Sequence, residues 1–309
     1  MISNPFLKNS PVVFEKDLSK EFLIKNYKEL YGIDLTQTYS LFEKISIYKC
    51  VESGYRFYYP LELSGDSDFY KQLQQNDWYY MPWKWEHQES LKYIKDGYKI
   101  LEVGCGAGYF LKNINKKFHD LQCVGLELNK NTVSADAGYT VHNELVENFS
   151  ERNEEMFDIV CSYQVLEHIS SVNTFLKASI HCLKENGFLI ICVPNNDSFI
   201  RLSKGNILNM PPHHMGLWNE NSLRKIGEHF NLKFIDIAIE PIQKHHWGWY
   251  LDIRISNLMG SQLSRVIMKA INLLNIKAPI MWVLNKMQNH IMGHSILIVF
   301  QKPYSTRRS

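Results

Sequence analysis

The sequence predicts an α/β protein built on a doubly wound, largely parallel sheet, and two observations indicate this class. From Tyr98 onward, short apolar runs alternate with helical patterns, as in folds that pack helices on both faces of a sheet. The first run is followed by a turn with glycine at alternate positions, Gly104, Gly106 and Gly108. In open α/β sheets the ligand crevice lies at this end of the strands.

Seven runs have the length and composition of strands. They are residues 98–103, 122–128, 139–143, 157–163, 188–194, 233–240 and 295–302. The helical patterns between the first six include residues 108–118, 130–137, 172–184 and 219–230. The last run follows without a crossover helix of the usual length, which favours antiparallel pairing of that strand.

Two regions depart from this alternation. Residues 1–75 are predicted to form a small N-terminal appendage with a short β element, and residues 76–309 form the main domain. Within the main domain, about 242–293 is far longer than a usual connection between strands. Apolar residues at helical spacing, Leu263, Ile267, Ile271 and Leu274, predict a helical insertion there.

Composition and cysteine usage narrow the partners and the compartment. The net charge of +2 is too small for the basic footprint of a nucleic-acid-binding domain. The six cysteines contain no CxxC pair, and Cys50 is the single cysteine of the appendage, whereas a zinc ribbon needs two close pairs of ligands. We therefore expect no metal site. The N-terminus lacks the features of a signal peptide, and no apolar run reaches 18 residues, so we expect a cytoplasmic protein.

An aromatic segment precedes the first strand of the main domain. Residues 76–87, "NDWYYMPWKWEH", contain three tryptophans and two tyrosines. Such a segment can line a ligand pocket, or it can fix the appendage onto the core, since large aromatics dominate burial in both settings. The sequence leaves both interpretations open.

The glycine turn and two acids indicate the kind of ligand. Dinucleotide sites follow the spacing G-x-G-x-x-G, whereas the third glycine here comes one residue early, which disfavours a pyrophosphate and a nicotinamide oxidoreductase. Glu102 directly precedes the turn and would repel a phosphate but attract a cation. Glu127, at the end of the second strand, can accept hydrogen bonds from ribose hydroxyls. A tight turn without a ligand is the alternative.

Four motifs, in order, resemble the class I S-adenosylmethionine-dependent methyltransferases. They are "LEVGCGAG" (101–108), "VGLELN" (124–129), "FDIVCSYQVLEHI" (157–169) and "LKENGFLIICVPN" (183–195). The resemblance covers about residues 76–303. It implies a seven-stranded, Rossmann-like methyltransferase sheet with an antiparallel last strand, S-adenosylmethionine as cofactor, and transfer of a methyl group.

The resemblance also implies the cofactor contacts. The backbone at Gly104, Cys105, Gly106 and Gly108, with Glu102 nearby, would approach the amino-acid part, and Glu127, with Leu128 beside it, would hold the ribose. Asn143, Glu144 and Leu145 match the place where the family frames the adenine, although this sequence lacks the commoner Asp there. Gln164 and Val165 would flank the methionine moiety.

Three histidines are candidates for catalysis. For a hydroxyl acceptor, a histidine is the natural general base at neutral pH. His213 and His214, in "PPHH", follow the fifth strand on the crevice side, and this feature resembles one found in a bacterial methyltransferase subgroup. His168, in "VLEHI", is the third candidate. Each could instead brace its loop, and "LEH" mostly shapes that loop in the family.

The expected activity is O-methylation of a small molecule or glycan precursor. Methylation at nitrogen or carbon, and a catalytically silent cofactor-binding subunit, are the alternatives. The appendage resembles those of methyltransferases from bacterial glycan and cell-surface pathways, as a degenerate, metal-free remnant. For the insertion we favour a cap on the acceptor pocket or a homodimer contact. Its basic residues allow a second interpretation, contact with an anionic membrane; they are Arg254, Arg265, Lys269, Lys277 and Lys286.

Overall fold

A computed structural model describes residues 2–76, 79, 81–129, 138–203, 205–273, 282, 284 and 286–304. In chain order, its strands are β1 (Val12–Leu18), β2 (Ile45–Cys50), β3 (Arg56–Tyr59), β4 (Lys99–Val103), β5 (Gln122–Leu126), β6 (Thr140–His142), β7 (Phe157–Tyr163), β8 (Leu183–Pro194), β9 (Gly216–Leu217), β10 (Lys233–Pro241) and β11 (Met292–Gln301).

The α-helices of the same residues alternate with these strands. They are α1 (Lys20–Tyr31), α2 (Thr36–Ser40), α3 (Ser67–Leu73), α4 (Trp85–Ser90), α5 (Tyr109–Lys117), α6 (Val146–Ser150), α7 (Val172–His181), α8 (Glu220–Phe230), α9 (Trp247–Met259) and α10 (Ser261–Leu273). The helix predicted over residues 130–137 lies outside the described residues.

A seven-stranded sheet carries the main domain, in the order β10-β11-β8-β7-β4-β5-β6. Strand β4 pairs in parallel with β5 and β7, β5 with β6, and β7 with β8. Strand β11 lies between β8 and β10 and is antiparallel to both. The predicted doubly wound sheet with an antiparallel last strand is therefore confirmed.

Residues 189–193 of the central strand β8 are apolar at every position and are buried on both faces of the sheet. In β8, Leu189, Ile191 and Val193 belong to one core cluster, whereas the alternate residues Ile190 and Cys192 belong to a second. Successive side chains of a strand point to opposite faces, so a continuous apolar run identifies a strand that is buried on both sides. This burial fixes the positions of the loops at the carboxyl ends of the strands.

The N-terminal residues form a second, four-stranded sheet in the order β1-β2-β3-β9. The predicted β element corresponds to β2 and β3. Strand β9 belongs to the loop after β8, and Gly216 pairs with Phe57 of β3. A Cβ at Gly216 would lie 2.5 Å from the Tyr55 hydroxyl, so this close approach requires glycine. The N-terminal region is thus joined by a sheet to the loop that carries His213 and His214.

Helices α9 and α10 occupy the long connection between β10 and β11. Trp247 and Ile253 of α9 are buried in a small core cluster with Phe199 and Ile200. Leu263, Ile267 and Ile271, whose spacing predicted a helix, lie in α10, whereas Leu274 lies outside the described residues. Among the described helices, none combines the length and apolar character needed to cross a membrane.

Candidate functional site

A cavity of about 1420 Å³ opens at the carboxyl ends of β4, β5 and β7. Its wall contains the glycine turn, the acids Glu102 and Glu127, a group of histidines and part of the aromatic segment. The cavity lies where open α/β sheets bind ligands. Of the aromatic segment, Trp83 and Trp85 both line the cavity and pack against the core of the main domain. Trp78 and Tyr80 lie outside the described residues.

The glycine turn brings backbone, rather than side chains, to the cavity. Gly104, Gly106 and Gly108 have φ angles of 75°, 52° and 68°, which side-chain-bearing residues rarely adopt. A Cβ at Gly104 would lie 2.5 Å from Val165 Cγ2, and one at Gly108 would lie 1.9 Å from the Tyr139 hydroxyl. Gly104 therefore faces the loop after β7, whereas Gly108 packs beside Tyr139 and does not line the cavity.

Glu127 links the second strand to the turn. Its carboxylate accepts hydrogen bonds from the backbone N–H of Gly106, at 2.8 Å, and of Asn129, at 2.9 Å. The side chain is half-buried and lines the cavity, as does Leu128. Because each carboxylate oxygen has two lone pairs, Glu127 can still accept from a ligand.

Glu102 is a buried acid at the base of the cavity, and one of its two carboxyl oxygens has no hydrogen-bond partner among the described residues. Its side chain is 4% exposed, and the unpartnered oxygen is Oε2. Burial raises the pKa of Glu102 well above its usual range, and Glu127 adds to this effect, whereas Lys84 opposes it. A cationic ligand group beside Glu102 would pair with its ionised form and offset this cost of burial.

The loop after β6 forms another part of the wall. Glu144 and Leu145 line the cavity. Asn143 does not, because its amide donates to the backbone carbonyls of Glu127 and Leu128. Arg152 pairs with Glu144 and lowers the pKa of this half-buried acid. Asn143 thus supports the segment that carries Glu127.

Gln164 and Val165 lie opposite the glycine turn. Gln164 has a left-handed backbone, with φ of 56°, and its side-chain amide donates to Ser295 Oγ at 3.2 Å and to Glu86 Oε1 at 3.4 Å. Both residues line the cavity. The predicted cofactor-binding residues therefore surround one space, except for Gly108 and Asn143.

His168, His213 and His214, the histidine triad, converge on the cavity. Their ring centroids are 4.5 to 4.9 Å apart. Burial lowers the pKa of His168 to about 4 and those of His213 and His214 well below the usual range. All three rings are therefore neutral at neutral pH.

Three further buried acids line the cavity and were not selected in the sequence. Glu167 is 1% exposed, neither of its carboxylate oxygens has a hydrogen bond within the described chain, and burial raises its pKa to about 8. Burial raises the pKa of Glu240 to about 7. Glu86, in the aromatic segment, is also buried. Glu167 is adjacent to the candidate His168 in "LEH", and this position was the one feature of the sequence that could have indicated a buried acid at the site.

A protein-family model described as a methyltransferase domain matches residues 79–237. A ubiquinone biosynthesis O-methyltransferase of Bradyrhizobium diazoefficiens is 28% identical over 163 residues, which cover 50% of this chain and 53% of that protein. One from Pelagibacter ubique is 25% identical over 103 residues, covering 31% of this chain and 42% of that protein. The chain thus spans about half the length of the curated relatives it matches.

Solved structures resemble the same region. A SAM-dependent methyltransferase from Archaeoglobus fulgidus covers 70% of this chain and 90% of its own, with 18% identity and a TM-score of 0.47. A putative S-adenosylmethionine-dependent methyltransferase from Listeria monocytogenes covers 71% and 98%, with 13% identity and a TM-score of 0.47.

Proposed function

The chain belongs to the methyltransferase domain family, class I, whose methyl donor is S-adenosylmethionine, and we propose that it transfers a methyl group to the oxygen of a small molecule or glycan precursor. One observation carries the proposal. A single cavity has the glycine turn, Glu102 and Glu127 on one side and the histidine triad on the other. The first group is suited to a cofactor and the second to an acceptor.

The residues present fit S-adenosylmethionine. Glu102, whose Oε2 has no hydrogen-bond partner among the described residues, suits the cationic amino group of the cofactor's amino-acid part. A side chain at Gly104 would occupy space beside Val165 that the glycine leaves open. Glu127 has lone pairs left for ribose hydroxyls. Glu144 and Leu145 lie where the adenine is expected, with Gln164 and Val165 at the methionine end. When bound, the cofactor supplies an electrophilic methyl group on a sulfonium.

The chain's own residues contribute to methyl transfer by aligning the acceptor, excluding water and accepting the proton that the acceptor loses. Alignment of the acceptor oxygen behind the methyl group is the largest requirement of an in-line displacement. The histidine triad lies on the acceptor side, and its neutral rings offer lone pairs that bind the acceptor hydroxyl or take up its proton. Oxygen is the proposed target because the matched relatives are named O-methyltransferases.

The segment after β10 closes the acceptor side in this proposal. Gln243, His246 and Trp249 line the cavity at the start of the segment. Beyond them, Leu258 and Val266 are 82% and 62% exposed. In this proposal the start of the segment caps the pocket, and the exposed face of α9 and α10 binds an anionic membrane surface. We place the reaction in the cytoplasm, since all six cysteines are free thiols.

Calorimetric titration tests cofactor binding. We expect S-adenosylmethionine and S-adenosylhomocysteine to bind with one site each and NAD not to bind. Preference for NAD would contradict the proposal. A screen with labelled methyl donor then tests the acceptor, with phenols, sugar nucleotides and amines in parallel. Label on a hydroxyl compound supports O-methylation, label only on amines transfers the assignment to nitrogen, and cofactor binding without turnover of any acceptor points to a silent subunit.

A further inference from the structure

The three rings of the histidine triad are held in one orientation by hydrogen bonds from Nδ1. His213 Nδ1 donates to the Leu208 carbonyl at 2.9 Å, and His214 Nδ1 to Asn209 Oδ1 at 3.0 Å. His168 Nδ1 donates to the carbonyl of His213. A carbonyl oxygen can only accept, so Nδ1 carries the proton in each ring. The side-chain amide nitrogen of Asn209 donates to Asn196 Oδ1, which fixes the orientation of the Asn209 amide.

This arrangement leaves Nε2 of all three rings as a lone-pair acceptor. The hydrogen bonds described above all use Nδ1, and the backbone of Gln164 also acts on the His168 ring. One ring nitrogen from each histidine lies within 4.8 Å of the other two. Three lone pairs that converge without a donor repel one another, and a cation placed between them removes this repulsion.

A second feature points in the same direction. Glu167 is buried, lines the same cavity, and has both carboxylate oxygens unpartnered. Its Oε1 lies 3.9 Å from His168 Nε2. Its backbone carbonyl accepts from Met215 N–H at 2.7 Å, which ties it to the loop of His213 and His214. A buried acid whose oxygens have no hydrogen-bond partner would be stabilised by a cation held beside it.

We propose that His168, His213 and His214 bind a divalent transition-metal ion, with Zn²⁺ the best suited, through their three Nε2 atoms. Imidazole ligands suit Zn²⁺, and ligating histidines almost always donate their other ring N–H to a carbonyl or carboxylate, as all three do here. Zn–N bonds are about 2.0–2.1 Å, so the tetrahedral nitrogens lie about 3.4 Å apart, a spacing that small ring movements achieve.

The ion keeps one position open towards the cavity, as catalytic zinc sites do. The part that the ion plays in catalysis rests on the proposed function, whereas its binding does not. The acceptor hydroxyl takes the open position, which lowers its pKa, so that it releases its proton to solvent through the open cavity. The oxygen lone pair then forms the bond to the methyl carbon as the carbon–sulfur pair returns to sulfur, leaving S-adenosylhomocysteine.

Metal titration of the full chain, freed of any polyhistidine tag and treated with chelator, tests the site without cofactor or acceptor. We expect one equivalent of Zn²⁺ by calorimetry and a raised thermal midpoint. One equivalent of Co²⁺ should give the strong visible absorption of a four-coordinate site. Binding of less than about 0.2 equivalents, or only octahedral Co²⁺ spectra, would overturn the proposal, whether or not methyl transfer is found.

Substitution by asparagine separates the metal site from a structural brace. The side-chain amide of Asn takes the place of Nδ1–H and removes Nε2, so His214→Asn keeps the hydrogen bond to Asn209 and deletes one ligand. We expect each of His168→Asn, His213→Asn and His214→Asn to weaken Zn²⁺ binding at least 100-fold. His246→Asn, in the same cavity outside the triad, should not. Unchanged binding in folded triad variants would overturn the assignment.

Discussion

Glu127 Oε2 lies 2.8 Å from the backbone nitrogen of Gly106, so the acid that follows β5 holds the turn that follows β4. Strands β4 and β5 are parallel neighbours, and their carboxyl ends meet at the same edge of the sheet. The chain's own hydrogen bond therefore holds the turn. A preformed site of this kind avoids the ordering cost that a flexible loop would add to binding.

Glu127→Ala should weaken binding of S-adenosylmethionine by about 1–3 kcal/mol, because the ligand loses hydrogen bonds to a charged group. In calorimetry this is about a 5- to 150-fold rise in Kd. Glu154→Ala removes a negative charge outside the cavity, so it is the control and should bind as the wild type does. Equal affinities for a folded Glu127→Ala and the control would remove the ribose assignment.

Gly104→Ala should destabilise the protein and impair cofactor binding, because the new Cβ would lie 2.5 Å from Val165 Cγ2. Gly97→Ala is the control: its φ of 76° matches the 75° of Gly104, but nothing lies within 4 Å of a Cβ there. Both variants bear the same backbone strain, so the difference isolates the clash. We expect Gly104→Ala to lose about 1–3 kcal/mol more in chemical denaturation.

A second-site change checks the same explanation. Val165→Ala removes the Cγ2 atom that the new methyl group would meet, so Gly104→Ala combined with Val165→Ala should recover part of the lost stability. Contacting residues are expected to be non-additive in this way. If the two changes simply add, strain at Gly104 rather than contact with Val165 is the cause.

Glu240→Gln should change how stability depends on pH. Burial, reinforced by Glu86, raises the Glu240 pKa from 4.5 to about 7. Between these values the native state holds a proton that the unfolded state has lost, so the wild type loses stability as pH rises and levels off above pH 7. Gln cannot ionise and still accepts from the Ser295 N–H.

The measurement is the free energy of unfolding of both proteins from pH 4.5 to 8. The free energy of unfolding of the variant minus that of the wild type should increase with pH by up to about 3 kcal/mol and then remain constant. Other titrating groups are common to both proteins, so they cancel in the difference. A difference that does not vary with pH would mean that Glu240 is not buried as described.

Local patterns made the fold and the glycine-turn side of the cavity predictable. Apolar runs identify strands covered on both faces, and the spacing of Gly104 and Glu127 follows from adjacent parallel strands. The side that carries the histidine triad was not predictable in the same way, because the contact of His168 with His213 joins positions 45 residues apart through two loops. The amide of Asn143 is used on backbone carbonyls, which no sequence pattern indicates.

The exposed face of α9 and α10 should bind anionic vesicles at low salt. Leu258 and Val266 extend into solvent there, with the exposed side chains of Arg254, Arg265 and Lys269 on the same two helices. Buried apolar area and attraction to anionic lipid together drive the binding of amphipathic helices to membranes. Lys277 lies outside the described residues, so the prediction rests on the cations of these helices.

Co-sedimentation measures this binding. We expect pelleting with anionic vesicles at low salt, little pelleting with neutral vesicles, and loss of pelleting when salt screens the exposed charges. Arg265→Glu with Lys269→Glu should abolish pelleting and leave S-adenosylmethionine binding intact, because neither residue lines the cavity. The matched control, Lys25→Glu with Lys28→Glu on α1, should still pellet. If the wild type stays in solution at low salt but sediments as a dimer, and Val266→Glu makes it a monomer, the apolar face belongs to a second copy of the chain instead.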